Sequence, residues 1–280
     1  MSATLLRIFR LGLYFALTLP LMPVQAVLVL AKSPLAHRLA CRYHRWTSRL
    51  MGFRVTVKGE RSRQHPTLYV SNHMSYVDIE ILGGLIDGCF VAKSDVAHWP
   101  LFGWLAKLQQ CVFVDRQVRS TAEQRDAIRR RLDAGDNLIL FPEATSGDGT
   151  RLLPFKSALL SVADYAGAQG PLLVQPVSIV YLRLDGIPLG RSYRPFFAWY
   201  GDMSLAPHLW EMMGLGTVDV EVVFHPPVTL AELGARKALT EHCYRTIAAS
   251  VASALAGRPQ DWPSPAPELA AAPPPRGAMI

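Results

Sequence analysis

Cysteine is scarce. Four occur in 280 residues, at Cys41, Cys89, Cys111 and Cys243, with no C-x-x-C pair among them. That excludes the short-spaced zinc and redox patterns and leaves thiols expected to pack as small hydrophobes in a reducing compartment. Charge is thin too, at 18% of residues, and acids are outnumbered by bases 22 to 29, for a net charge of +7. A basic chain favours anionic partners, but zinc-finger spacing and basic-region heptads are missing, so nucleic acid is not expected as a partner. There is no G-x-S-x-G elbow to supply a serine nucleophile and no H-E-x-x-H. No internal repeat or linker divides the body of the chain.

What is present is 50% hydrophobic sequence, enough for a sizeable core, and an N-terminus with an unusual pattern. From Leu11 to Ala31 no residue is charged, and Arg7, Arg10, Lys32, Arg38, Arg42, Arg45 and Arg49 flank that run. This arrangement suits an anionic membrane surface. Pro20 and Pro23 interrupt the run and are expected to kink or end a helix. Leu11 to Leu19 alone would rise about 13 Å, less than half of a hydrocarbon core of about 30 Å. The expectation is therefore a bent helical hairpin dipping into one leaflet. The rival is a secretory signal cleaved after Ala26; the apolar run continues through Leu30, which favours retention.

Alternating or continuous apolar runs predict strands at Phe53–Val57, Thr67–Ser71, Cys89–Ala92, Val112–Val114, Leu138–Phe141, Leu172–Tyr181 and Val218–Phe224. Helical patterns fall at Ile79–Ile86, Thr121–Ala134 and Arg236–Ala256, and Trp99–Leu108 carries a bulky apolar face around Pro100 and Gly103. The arginines of Thr121–Ala134 read as a solvated face. Strands alternating with helices imply an α/β fold, a mixed sheet flanked by helices, with an N-terminal membrane-associated helical hairpin. The division expected is residues 1–50 for the membrane-associated helices, 51–256 for a catalytic domain, and 257–280 for a disordered Pro/Ala-rich tail.

The chemistry centres on Asn72-His73-Met74-Ser75-Tyr76-Val77-Asp78, directly after a buried strand, where open α/β sheets present ligands. Asp78 can fold back on one imidazole nitrogen of His73, fixing the tautomer and leaving the other nitrogen as a base. It can equally be an N-terminal helix residue facing the dipole, and both can hold. A metal held by this pair lacks further ligands, so none is expected there. With no nucleophile evident, direct attack by a bound alcohol on an activated acyl group is the simpler scheme. Arg116 follows the strand Val112–Val114 and can reach a phosphate or carboxylate, or else pair with Asp115. Glu143 follows Phe141-Pro142, and Thr145 to Gly149 form a tight polar loop.

Four ordered blocks, Asn72 to Asp78, Phe113 to Arg116, Phe141 to Thr145 and Gln175-Pro176-Val177-Ser178-Ile179, resemble those of the glycerolipid acyltransferase family, over about residues 70 to 180. The resemblance implies acyl transfer from an acyl-carrier protein or acyl-CoA donor to a lysolipid acceptor hydroxyl. No cofactor is implied beyond the acyl-carrier protein or coenzyme A thioester as co-substrate. It implies His73 as general base and Asp78 as its orienting partner. Asn72, Ser75, Lys93, Arg116, Glu143 and Thr145 become substrate-binding residues, and the bacterial inner membrane, at its cytoplasmic face, becomes the location. One departure stands out: Ala144 replaces the glycine of the third block, and Ser146 stands where phosphate-binding relatives often carry arginine. Ser146 to Gly149, Leu153 to Ser157 and Ala198 to Met203 are similar to the bacterial subgroup that acylates lyso-ornithine lipid. Lysophosphatidate is the alternative acceptor. A non-enzymatic membrane scaffold is the alternative from another class.

Overall fold

The computed structural model describes residues 2–114, 122–167 and 170–258. Helix α1 spans Ala3–Leu30 and helix α2 spans Leu35–Leu50, joined by a short turn at residues 31–34. The helix does not end at Pro20 or Pro23; α1 runs through both prolines. Each removes one backbone donor, but polar anchors on either side hold the helix in place. Thr18 Oγ1 meets Tyr43 OH at 2.9 Å, and Gln25 Nε2 donates to the carbonyls of Ala36 and Leu108 at 3.1 and 3.0 Å. At 28 residues α1 is long and apolar enough to cross a membrane by length and composition.

The basic residues of the N-terminus divide into two groups. Arg38, Arg42, Arg45 and Arg49 lie exposed along α2. Arg7 and Arg10, expected among the membrane-facing charges, point instead into the protein. Arg7 pairs with Glu211, and Arg10 donates to the carbonyls of Met213 and Leu215.

The catalytic body opens with β1 (Phe53–Lys58), β2 (Thr67–Ser71), α3 (Val77–Leu85) and β3 (Gly88–Lys93). It continues through α4 (Phe102–Leu108), β4 (Val112–Val114), α5 (Ala122–Asp133) and β5 (Asn137–Leu140). Then come the long β6 (Leu173–Leu184), α6 (Leu205–Met213), β7 (Val218–Phe224) and, after a short turn of helix at Leu230–Leu233, α7 (Arg236–Leu255). The sheet order is β1-β7-β6-β2-β5-β3-β4, with two short strands added on β6. Along this path only β6 and β7 pair antiparallel, so the sheet is mixed, as expected.

Successive strand residues face opposite sides, and that divides the core. Tyr69, Ile139 and Ile179 pack on the side of α3 and the N-terminal helices, while Leu68, Val70, Leu138, Leu140 and Val180 pack toward α5 and α7. On α5 the exposed residues include Arg129 and Arg130. Arg131 departs from the solvated face, donating to Gln110 Oε1 and Asp136 Oδ2. Helix α2 falls within the N-terminal helical region expected for residues 1–50, whereas α6 has no counterpart in the sequence pattern. The tail from residue 259 and the stretch 115–121, which holds Arg116, lie outside the described residues.

Helices α2 and α3 approach closely because Gly83 and Gly84 face α2. A Cβ on Gly84 would stand 3.1 Å from the backbone nitrogen of Arg45 and 3.2 Å from its Cα. Backbone atoms cannot swing aside, so Gly84→Leu is expected to destabilise the protein by about 1–3 kcal/mol, the usual effect of overpacking. An unfolding midpoint in detergent equal to that of the parent would contradict this packing.

Candidate active site

Strands β2, β5, β3 and β4 are mutually parallel, so their C-terminal ends share one edge of the sheet. Beyond β2, the Asn72 side chain continues the pairing with β6. Its Nδ2 donates to Ile179 O, and its Oδ1 accepts from Ile179 N, both at 2.9 Å. The chain then turns out of the sheet and presents His73.

Asp78, near the start of α3, is fully buried. Its Oδ2 accepts from the backbone amides of Met74 and Ser75 at 2.8 and 2.9 Å and lies 2.9 Å from His73 Nδ1. Its Oδ1 accepts from Tyr181 OH at 2.7 Å. The carboxylate thus sits in the first turn of α3, facing the helix dipole, and also partners the imidazole, the two roles the sequence left open. An ionised Asp78 fixes the hydrogen on Nδ1 and leaves the Nε2 lone pair available. Phe141 stacks on the imidazole, with ring centroids 4.0 Å apart at 14°. Tyr181 and Phe141 were not singled out as site residues from sequence; Tyr181 comes from β6 and Phe141 directly follows β5, both remote in the chain.

Glu143 holds the loop beneath. It is buried, and its two oxygens accept from His73 N and Leu153 N, each at 2.8 Å. Burial pushes its acid up to about 7, although both backbone hydrogen bonds pull the other way. The adjacent Ala144 takes φ 63°, a left-handed conformation that glycine adopts without penalty.

A largely apolar cavity of about 400 Å³ opens beside His73. Lys93 and Thr145 line it with His73, and Lys93 is ion-paired to Asp95. From there it follows β3 inward to walls from α1 and α2, including Gln25, Tyr43 and His44. His44 is held between Glu80 Oε2 at 2.9 Å and Gln109 Oε1 at 3.0 Å. The structure therefore brings His73, Asp78, Lys93, Glu143 and Thr145 together.

Asn72, Ser75 and Ser146 take the following positions in the structure. Asn72 and Ser75 were expected to bind substrate. Both are buried and absent from the lining of this cavity, Asn72 bonded to Ile179 and Ser75 held in the Asp78 turn. Ser146 lines the cavity but donates its hydroxyl to Trp199 O, tying the residue 199 loop to the site. Arg151 and Arg194 line a second, small cavity that also touches Asn72, His73 and Glu143. Trp199, not picked out individually from sequence, lines the main cavity, and its buried Nε1 has no hydrogen-bond partner among the described residues.

The Glu143 acid has a direct consequence for stability. Its folded pKa, about 7, lies above the ordinary value of 4.5, so the folded state holds the proton more tightly. Its contribution is fully present below about pH 4.5 and is lost as pH rises toward 7, on the order of 1.4 kcal/mol per unit of difference. Chemical denaturation across that window is expected to show falling stability. Glu143→Gln is expected to remove this slope, and a slope unchanged in that variant would assign it to other groups.

A family model described as Acyltransferase matches residues 54–180. The lyso-ornithine lipid O-acyltransferase of Brucella abortus (strain 2308) is 42% identical over 247 residues, spanning 87% of this chain and 92% of that protein. The lyso-ornithine lipid O-acyltransferase of Rhizobium meliloti (strain 1021) is 40% identical over 262 residues, spanning 91% and 90%. The 1-acyl-sn-glycerol-3-phosphate acyltransferase of Neisseria gonorrhoeae is 32% identical over 197 residues, spanning 69% and 73%. The crystal structure of the 1-acyl-sn-glycerophosphate acyltransferase from Thermotoga maritima has the same fold, with a TM-score of 0.63 at 21% identity, covering 92% of this chain and 97% of that one. With relatives this similar along nearly their whole length, the chain belongs to the acyltransferase family.

Proposed function

We propose that this acyltransferase moves a fatty acyl group from a thioester on acyl-carrier protein or coenzyme A to the hydroxyl of a lysolipid, with lyso-ornithine lipid as preferred acceptor. The observation that carries the reading is the His73–Asp78 pair at the mouth of an apolar cavity. His73 Nε2 takes the proton of the acceptor hydroxyl as its oxygen attacks the thioester carbonyl. The new C–O bond forms a tetrahedral intermediate. The C–S bond then breaks, and the sulfur leaves as thiol with the proton carried by the imidazolium. Asp78 steadies that imidazolium, as a buried carboxylate does in other base-assisted acyl transfers. Trp199 Nε1, an unused donor in the cavity wall, supplies a hydrogen bond to a substrate oxygen.

The acceptor preference rests on the position of Ser146, where an arginine would meet a phosphate. A hydrogen bond to a charged group contributes about 1.5–3 kcal/mol, and Ser146 instead spends its hydroxyl on Trp199 O. An amino-acid headgroup does not need that contact. Lys93, Thr145 and, from its sequence position, Arg116 surround the acceptor. The exposed apolar side of α1, with Leu5, Phe9, Leu13, Val27 and Leu30, and the exposed arginines of α2 seat the enzyme on anionic lipid. Positive flanks favour the cytoplasmic face of the inner membrane.

Labelled acyl donor offered with a panel of lysolipids tests the reading. His73→Ala is expected to lower turnover by about 10²–10⁴-fold, the usual contribution of general base catalysis, with the unfolding transition retained. Near-normal turnover on every acceptor would remove the catalytic assignment. Lyso-ornithine lipid is expected to give the higher kcat/KM, and the reverse order would make lysophosphatidate the acceptor. Trp199→Phe is expected to lower kcat/KM about tenfold through loss of one hydrogen bond, at about 1.4 kcal/mol; an unchanged value would make Trp199 a wall residue only.

A further inference from the structure

The edge of the sheet opposite the catalytic cavity holds a second cluster of reactive side chains. There the N-terminal ends of β3 and β5 meet the first turn of α2. Cys89 lies just inside β3, Asp136 directly precedes β5, and His37 sits on α2. Their ligand atoms all lie within 4.8 Å of one another. His37 Nε2 is 3.3 Å from Asp136 Oδ1, and Cys89 Sγ is 4.0 Å from Asp136 Oδ2. We propose that His37, Cys89 and Asp136 bind a borderline-soft divalent cation, with zinc as the chemical match.

The donor set is one imidazole nitrogen, one thiolate sulfur and one carboxylate oxygen, the three ligand types zinc accepts in tetrahedral sites. His37 and Asp136 are only partly buried, so water can reach a fourth position. Bonds of about 2.3 Å to sulfur and about 2.0–2.2 Å to nitrogen and oxygen require the three ligands to draw in by about 1 Å. His37, on the outer side, is free enough to make that movement. Charge also balances: the cation's two positive charges meet the Cys89 thiolate and the Asp136 carboxylate, displacing the thiol proton and any proton held between His37 and Asp136.

Two neighbours orient the ligands from behind. Asp87 Oδ1 lies 3.8 Å from His37 Nδ1, on the ring nitrogen away from the cluster, where a carboxylate commonly orients a metal-bound imidazole. Arg131 Nη1 holds Asp136 Oδ2 at 3.3 Å, leaving Oδ1 toward His37. Asp87 offsets the Arg131 charge. The cation would fasten α2 to the sheet next to Leu39 and Phe90, which both line the acyltransferase cavity. Its role there is a structural clip, separate from proton transfer at His73. Positions 37, 89 and 136 are too scattered for any ligand-spacing pattern, so the cluster is visible only in the folded chain.

The test uses the full chain in detergent, stripped with chelator and titrated with Co²⁺ alone. A near-ultraviolet thiolate-to-cobalt band, saturating at one metal per chain and displaced by Zn²⁺, is expected. It is expected to disappear in Cys89→Ser and weaken at least tenfold in affinity in His37→Gln, and to persist in Cys41→Ser, which removes the nearby thiol of α2. Zn²⁺ is expected to raise the unfolding midpoint of the parent and not that of Cys89→Ser. Absence of the band in folded parent protein, or its survival in Cys89→Ser, would overturn the site and leave the cluster as ion pairs.

Discussion

The site depends on the burial of one charge. Asp78 sits where water cannot reach it, and an isolated carboxylate there would cost several kcal/mol. Four donors offset that cost, and they come from separate pieces: the His73 ring, the amides of Met74 and Ser75, and the Tyr181 hydroxyl on β6. None of these is optional once the charge is inside. The turn after β2, the first turn of α3 and the middle of β6 must all be seated before the imidazole has its partner. Asn72 and Glu143 extend the same logic, one holding β2 to β6 and the other holding the His73 backbone to the loop after β5. The histidine is positioned by a fully satisfied polar network whose parts would each be costly to leave unpaired.

The N-terminal helices belong to this arrangement rather than being appended to it. α1 turns large apolar side chains outward while Tyr14, Thr18 and Gln25 face in, and α2 supplies part of the cavity wall. The anchors Thr18 and Gln25 bracket the two prolines. Arg7 and Arg10 secure the start of α1 to the region around α6. Family membership makes the chain an enzyme, which disposes of the scaffold alternative that the same basic, apolar N-terminus allowed.

Much of the sheet was legible because strand signals are local: apolar runs such as Leu138 to Phe141 have few other uses in an α/β chain. The His73 and Asp78 juxtaposition was legible too, since five positions across a strand-to-helix turn bring the ends together. What sequence did not reveal is set by contacts distant in the chain. Pro20 and Pro23 read as a break because only the anchors on α2 and α4 keep the helix whole. Asn72 and Ser75 read as ligand-facing because nothing local shows that backbone groups of residues 179 and 78 already occupy or surround them. The polar inner end of the cavity, where His44 bridges Glu80 and Gln109, gathers residues from three helical regions and leaves no periodic trace.

The pairing of β1 with β7 has a consequence for how the chain is made. Phe53 to Lys58 leave the ribosome early, yet their sheet partner is Val218 to Val223. Such non-local pairing delays assembly. During synthesis the apolar α1 emerges before β1, and β1 waits as an open edge for a strand encoded far downstream. A nascent chain halted before β7 would expose that edge and lack the final wall of the core, so premature termination or a slow ribosome in that interval would yield an aggregation-prone fragment rather than a smaller working enzyme.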